Sequence, residues 1–233
     1  MNEASARFPL VTGRFRLQAW RVRSILLFPL WLGLSLVTSA DAQSPSPTVA
    51  RALKPETYLL QIEPKAMRTA NSRPYGSAQK TVFTPAKEVG GDDWLDPYNK
   101  EDFEKLGISW ESFVERARKA ADRRLASLKP ELVKDREGRV LYAVYRGAEP
   151  VYSSLLVAPS LAKVFEKIFG GEVWLATPDR NSLYVFPANA EVVNDFAGDL
   201  EERFQTNAFA ASEEIFSLNT AGELRAVAVF TER

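Results

Sequence analysis

Three groups of residues in this chain have the types and spacing to do chemistry. The first is Asp92, Asp93 and Asp96, set within five positions beside Trp94 and Tyr98. Oxygen-rich clusters suit Ca²⁺ or Mg²⁺, and paired carboxylates suit glycosidic acid–base work. The spacing is not that of an EF-hand, which wants Asp at alternate positions, Gly at the sixth and a closing Glu. Asp-rich turns also arise through capping alone. The second is Ser153-Ser154 with Lys163 downstream. A Ser–Lys dyad needs a buried lysine of lowered pKa, and Lys163 falls off the apolar stripe of its helix, which predicts a solvated side chain. The third is Asp179-Arg180-Asn181 after Pro178, a turn where polar groups converge at a sheet end. Arg180 there can hold a carboxylate or phosphate, and a tight hairpin turn accounts for the same residues without a ligand. Asp179, Arg180 and Asn181 are the candidate ligand-binding residues, with the acidic cluster as the alternative. No catalytic residue is assigned. Gly170-Gly171 follows a helix and lacks the Lys-Ser/Thr sequel of a phosphate-binding loop.

What is missing closes several chemistries. The chain has no histidine and no cysteine. Ser-His-Asp and thiol nucleophiles, zinc–thiolate sites, disulfides and thioether haem are therefore excluded. A hydrolase would have to use paired carboxylates, a Ser–Lys pair or an oxygen-ligated metal. The expectation is a chain without cofactor or metal.

The elements that must position these residues follow from periodicity. Thr57–Ile62 and Thr81–Thr84 predict short strands, and 65–80 reads as loop. Lys100–Leu106 allows a short helix ended by Gly107. Ser109 caps a longer one to about Leu128, with Phe113, Val114, Ala117, Ala121, Leu125 and Leu128 on one stripe. Its cations Arg116, Arg118, Lys119, Arg123 and Arg124 fall mostly outside that stripe, as a solvated face or an anion-reading patch. Val140–Tyr145 predicts a strand. Leu161, Val164, Phe165, Ile168 and Phe169 repeat at helical spacing until Gly170-Gly171 stops the run. Glu172–Thr177 and Ser182–Phe186 flank the Pro178–Asn181 turn as a hairpin, apolar on both faces and so expected at a sheet centre. Asn189 caps a helix to about Phe204, and Leu224–Phe230 predicts a last strand; 211–218 shows no clear period. A hairpin between helices predicts an α+β fold: a mainly antiparallel sheet with three helices packed on it.

The first 42 residues set the destination. Arg7, Arg14, Arg16, Arg21 and Arg23 precede the apolar run Ile25–Val37 and then Ala40-Asp41-Ala42. That is a basic n-region, an h-region and an A-x-A signal, in secretory order. As a helix the run reaches roughly 20 Å, short of the ~30 Å hydrocarbon core. Cleavage after Ala42 leaves Gln43 first; retention would make residues 24–40 a membrane tether. The expected organisation is a signal peptide at 1–42, a Ser/Pro-rich linker at 43–55, an irregular segment with short strands at 56–100, and an α+β domain at 101–233. The mature chain keeps 25 basic and 28 acidic residues, without the basic excess that nucleic acid requires.

Three blocks carry a resemblance. Leu106–Ala117, Tyr152–Leu156 leading into the 161–169 helix, and above all Gly170–Phe186 resemble the YtpQ-like bacterial family, domain of unknown function 1444, over residues 101–230. The resemblance implies no activity, cofactor or catalytic residue, and the export signal departs from the family pattern. The function expected is that of an exported, periplasmic or secreted binding domain whose partner is a protein or an envelope component. A carboxylate-dependent envelope hydrolase and a membrane-tethered structural protein are the alternatives.

Overall fold

The computed structural model describes residues 55–89 and 94–231. The export segment, nearly all of the linker, and Asp92 and Asp93 lie outside the described residues.

Two antiparallel sheets and four α-helices are present among the described residues. The first sheet has the order β1 (Leu59–Pro64), β2 (Thr81–Val89), β3 (Trp94–Pro97). The second has six strands: β4 (Glu131–Lys134), β5 (Val140–Arg146), β6 (Glu172–Ala176), β7 (Ser182–Pro187), β8 (Glu214–Asn219) and β9 (Leu224–Val229). Their order is β4-β5-β7-β6-β8-β9, so the expected β6–β7 hairpin occupies the centre. The helices are α1 (Lys100–Lys105), α2 (Trp110–Ser127), α3 (Leu161–Phe169) and α4 (Ala190–Thr206). The fold is α+β.

Strand alternation decides which side chains meet which layer. On one face of the six-stranded sheet, Ala143, Tyr145, Val173, Leu175, Leu183, Val185, Phe216 and Leu218 join the main core. That core also takes Phe113 and Ala117 of α2, Leu161 and Phe165 of α3, and Leu155 of a 3₁₀ turn at Tyr152–Val157. On the other face, Val144, Ala176, Tyr184, Phe186 and Ile215 form a second cluster under Val193 and Leu200 of α4. Both faces of the central strands are therefore covered, which explains their apolar composition on both sides.

Residues 56–100 are not a separate segment ahead of the domain. Leu60, Ile62 and Phe83 are fully buried in the same core as Phe113 and Phe216. The described residues on both sides of residue 100 share this core and fall in one compact unit. Long-range polar contacts fasten the first sheet in place. Arg123 Nη2 donates to Glu56 at 2.9 Å, and Arg124 Nη2 to Glu88 at 2.7 Å with both side chains about 10% exposed. The guanidinium of Arg118 reaches Tyr75 Oη and the carbonyl of Gly222. Part of the α2 cationic face thus works inside the molecule.

Local chemistry sets the helix ends. Ser109 Oγ accepts from Ser112 N, and Asn189 Oδ1 from Glu191 N. Gly170 closes α3 at φ +92°, a conformation glycine adopts without strain. Three strands were hidden by their composition: β3 lies in the acidic, turn-rich segment around Asp96. β4 is a short edge strand with Glu131 and Lys134 exposed, and β8 carries Glu214 and Ser217 at buried positions. The α3 stripe is only partly inward: Val164 and Ile168 stay 49% and 44% exposed.

Candidate functional site

The Pro178–Asn181 turn joins β6 to β7 and faces inward. Asp179 is 1% exposed. Its Oδ1 accepts from Asn181 N and Ser182 Oγ, both at 2.9 Å, while Thr177 Oγ1 donates to the Asp179 and Ser182 carbonyls. Asn181 Nδ2 donates to the Ala148 carbonyl. Arg180 Nη2 donates to Glu63 Oε1 on β1 at 3.0 Å, with side-chain exposures of 16% and 7%. Glu63 also accepts from Gln61 Nε2 and Thr84 Oγ1 at 2.6 and 2.7 Å. Burial pulls the Arg180 guanidinium below the ordinary arginine value, and the Glu63 carboxylate opposes that pull. The three candidate residues do come together, and their polar groups are mostly engaged in joining the hairpin to the first sheet. Two atoms are left over. Asp179 Oδ2 and Arg180 Nε are buried without a hydrogen bond.

The other candidates are dispersed. Asp96 is exposed on β3 and pairs with Lys87 at 3.2 Å. Ser153 and Ser154 are buried in the 3₁₀ turn, where Ser154 Oγ donates to the Val151 carbonyl. Lys163 is exposed on α3, as its position off the stripe predicts. Among the described residues, no group of three or more acidic side chains is placed to hold a metal ion.

A different site emerges on the α4 side of the six-stranded sheet. α4 leaves part of β4 and β5 uncovered, and a groove of about 380 Å³ opens between them. Its floor is aromatic. Tyr142 meets Phe196 edge-on at 4.7 Å between ring centroids, and lies 5.4 Å from Phe186 and 5.9 Å from Tyr184. Val133 and Leu200 complete the apolar lining. Tyr142 and Phe196 are half-buried, so the floor is reachable from solvent.

The rim is charged. Arg146 Nη2 donates to Glu131 Oε2 at 2.5 Å. Asp199, Glu202 and Arg203 project from successive turns of α4. The Arg203 guanidinium sits 5.9 Å from the Tyr184 ring centroid, with Nη1 3.6 Å from the orphaned Asp179 Oδ2. This contact ties the buried turn to the groove. Burial pushes both tyrosine phenols up, and Arg146 at Tyr142 and Arg203 at Tyr184 oppose it. Near neutral pH both hydroxyls therefore keep their protons and can donate. The arrangement suits holding an apolar ring or chain while polar groups at the mouth orient it.

Sequence reasoning missed this groove. Its residues come from β4, β5, β7 and α4, spread over 131–206, and each reads singly as core aromatic or surface charge. A usable signal was the run Tyr142-Ala-Val-Tyr-Arg146, which puts a tyrosine and an arginine on the same strand face as Val144. Comparison with protein-family models, curated proteins and solved structures gives no match for this chain.

Proposed function

We propose that this chain is an exported binding domain that works without a cofactor, and that its ligand site is the groove between α4 and strands β4, β5 and β7. One observation carries the reading. Four aromatic side chains floor an open cavity whose mouth is lined by arginines and carboxylates. The cavity falls within the usual range for small-ligand pockets, roughly 300–1,000 Å³. The phenols suit holding a ligand, because burial pushes both up and leaves them protonated hydrogen-bond donors near neutral pH. The ligand in this reading is a component of the cell envelope, and the resemblance to YtpQ-like proteins adds no chemistry to it. Export rests on the basic, apolar and A-x-A order of residues 1–42.

Titration with N-phenyl-1-naphthylamine, a neutral apolar fluorophore, tests the groove. Saturable binding is expected, weakened at least about tenfold by Tyr142→Ala and kept by Tyr142→Phe. Binding that ignores Tyr142→Ala would remove the groove as the site. Export is tested separately by fractionating cells and sequencing the N-terminus. Gln43 first, in the envelope fraction, is expected; a cytosolic chain retaining its arginine-rich head would refute it.

A further inference from the structure

Arg203 stands apart from the other arginines around the core. Arg124 is held by Glu88, Arg118 by Tyr75 and Gly222, Arg180 by Glu63 and Arg146 by Glu131. The Arg203 side chain makes no hydrogen bond within the described residues. Its contacts are the Tyr184 ring and one charge pair at 3.6 Å, beyond hydrogen-bond distance. Its side chain is 45% exposed and lines the groove. A guanidinium carries five N–H donors in a planar fork that fits a carboxylate with two parallel bonds. Here the fork is oriented by the ring beneath it and by the buried Asp179 charge, yet its donors are unused. Beside its charge pair with Asp179, such a group can still offer two parallel hydrogen bonds to an anion entering the groove.

The surroundings restrict which anion. Glu131, Asp199 and Glu202 line the same groove. Their charge disfavours a phosphate dianion or a polyanionic chain and tolerates one negative charge. The hydroxyls of Tyr142 and Tyr184 are further donors without an acceptor among the described residues. The aromatic floor next to them takes apolar surface.

We infer that Arg203 is the anion-binding residue of the groove, and that the ligand is a small amphipathic monoanion, its carboxylate or sulfonate on Arg203 and its apolar ring or chain on Tyr142 and Phe196. This assignment rests on the groove being the binding site. The anion replaces Asp179 as the nearest negative partner of Arg203, so ligand binding also reaches the β6–β7 turn.

The test compares two fluorophores on the whole protein: 1-anilinonaphthalene-8-sulfonate, a monoanion, and N-phenyl-1-naphthylamine, its near-neutral counterpart. Arg203→Gln is expected to weaken the sulfonate about tenfold, the worth of one charged hydrogen-bonded contact, and to leave the neutral probe within about twofold. Arg203→Lys should recover part of the loss. Added NaCl should weaken the sulfonate alone. Benzoate should displace it, and inorganic phosphate at the same concentration should not. Unchanged sulfonate affinity in Arg203→Gln, with the neutral probe still sensitive to Tyr142→Ala, would overturn the anion assignment and leave the groove standing. Displacement by phosphate as readily as by benzoate would overturn the monoanion restriction. Failure of both probes to bind at Tyr142 would overturn the groove and the assignment together.

Discussion

Replacing Arg180 by alanine separates a structural turn from a ligand-reading one. Arg180 and Glu63 are 117 positions apart and join the β6–β7 turn to β1 through a 3.0 Å contact, with side chains 16% and 7% exposed. Removing one member of a buried pair leaves the other charge uncompensated, at about 3–5 kcal/mol. Two features lower that figure here. Glu63 keeps its bonds from Gln61 and Thr84, and the variant also removes a buried Nε that has no partner. The expected loss is therefore about 2–3 kcal/mol, below that range. In a compact unit spanning 51–233, each kcal/mol moves the melting temperature by roughly 2–4 °C.

Urea unfolding read by tryptophan fluorescence gives the number. The midpoint should fall with an unchanged slope, since the surface exposed on unfolding stays the same. A cycle with Glu63→Gln should return a coupling above about 1 kcal/mol, because the two side chains share one contact. Arg180→Lys should recover only part, since an ammonium lacks the planar fork. A loss within about 0.5 kcal/mol for Arg180→Ala would refute the reasoning. It would mean that the guanidinium is free of Glu63 in solution, and the turn would regain its claim as a ligand site.

Three more outcomes follow from the same packing. Tyr145 is 2% exposed, and burial pushes its phenol up to about 12, so the unfolded chain loses that proton first as pH rises. Its contribution is whole below about pH 10 and declines by about 1.4 kcal/mol per pH unit from there to about pH 12; unfolding midpoints across that window should fall less steeply in Tyr145→Phe, which keeps only the decline from the other raised phenols such as Tyr142 and Tyr184. Glu88→Ala should cost about 3 kcal/mol by stranding buried Arg124, while Glu115→Ala, which breaks the exposed pair with Lys119, should leave the midpoint of the same denaturation assay unchanged. Gly76→Ala places a Cβ 2.8 Å from the Leu224 carbonyl oxygen at φ +62°, whereas Gly138→Ala at φ +85° meets open space. The first should lose about 2–3 kcal/mol and the second about 1 kcal/mol, since only the first must also shift backbone.

What the sequence made legible was whatever short-range pattern controls. The bounds of α3 and the β6–β7 hairpin could be read because period, stop signal and turn residues lie within a few positions of one another. β8 could not, because its polar members are satisfied from far away: Glu214 accepts from Gln79 N, and Ser217 Oγ donates to Glu172. The first sheet was underestimated for the same reason, since Phe83 and Ile62 earn burial only against α2 and β8. At the Asp179–Asn181 turn, the residue types announce convergent polar groups, but the direction Arg180 faces depends on Glu63, which no local pattern reveals. The groove follows the same logic from the other side. Tyr142, Phe196 and Arg203 become a site only when α4 crosses one half of the sheet and leaves the other half bare. The turn that looked like a site and the groove that did not are linked through Asp179, whose Oδ1 fastens the hairpin while its Oδ2 lies 3.6 Å from the arginine at the groove's edge. Of the three turn residues only Asp179 reaches a side chain of the groove, while Arg180 turns to Glu63 and Asn181 to the Ala148 carbonyl.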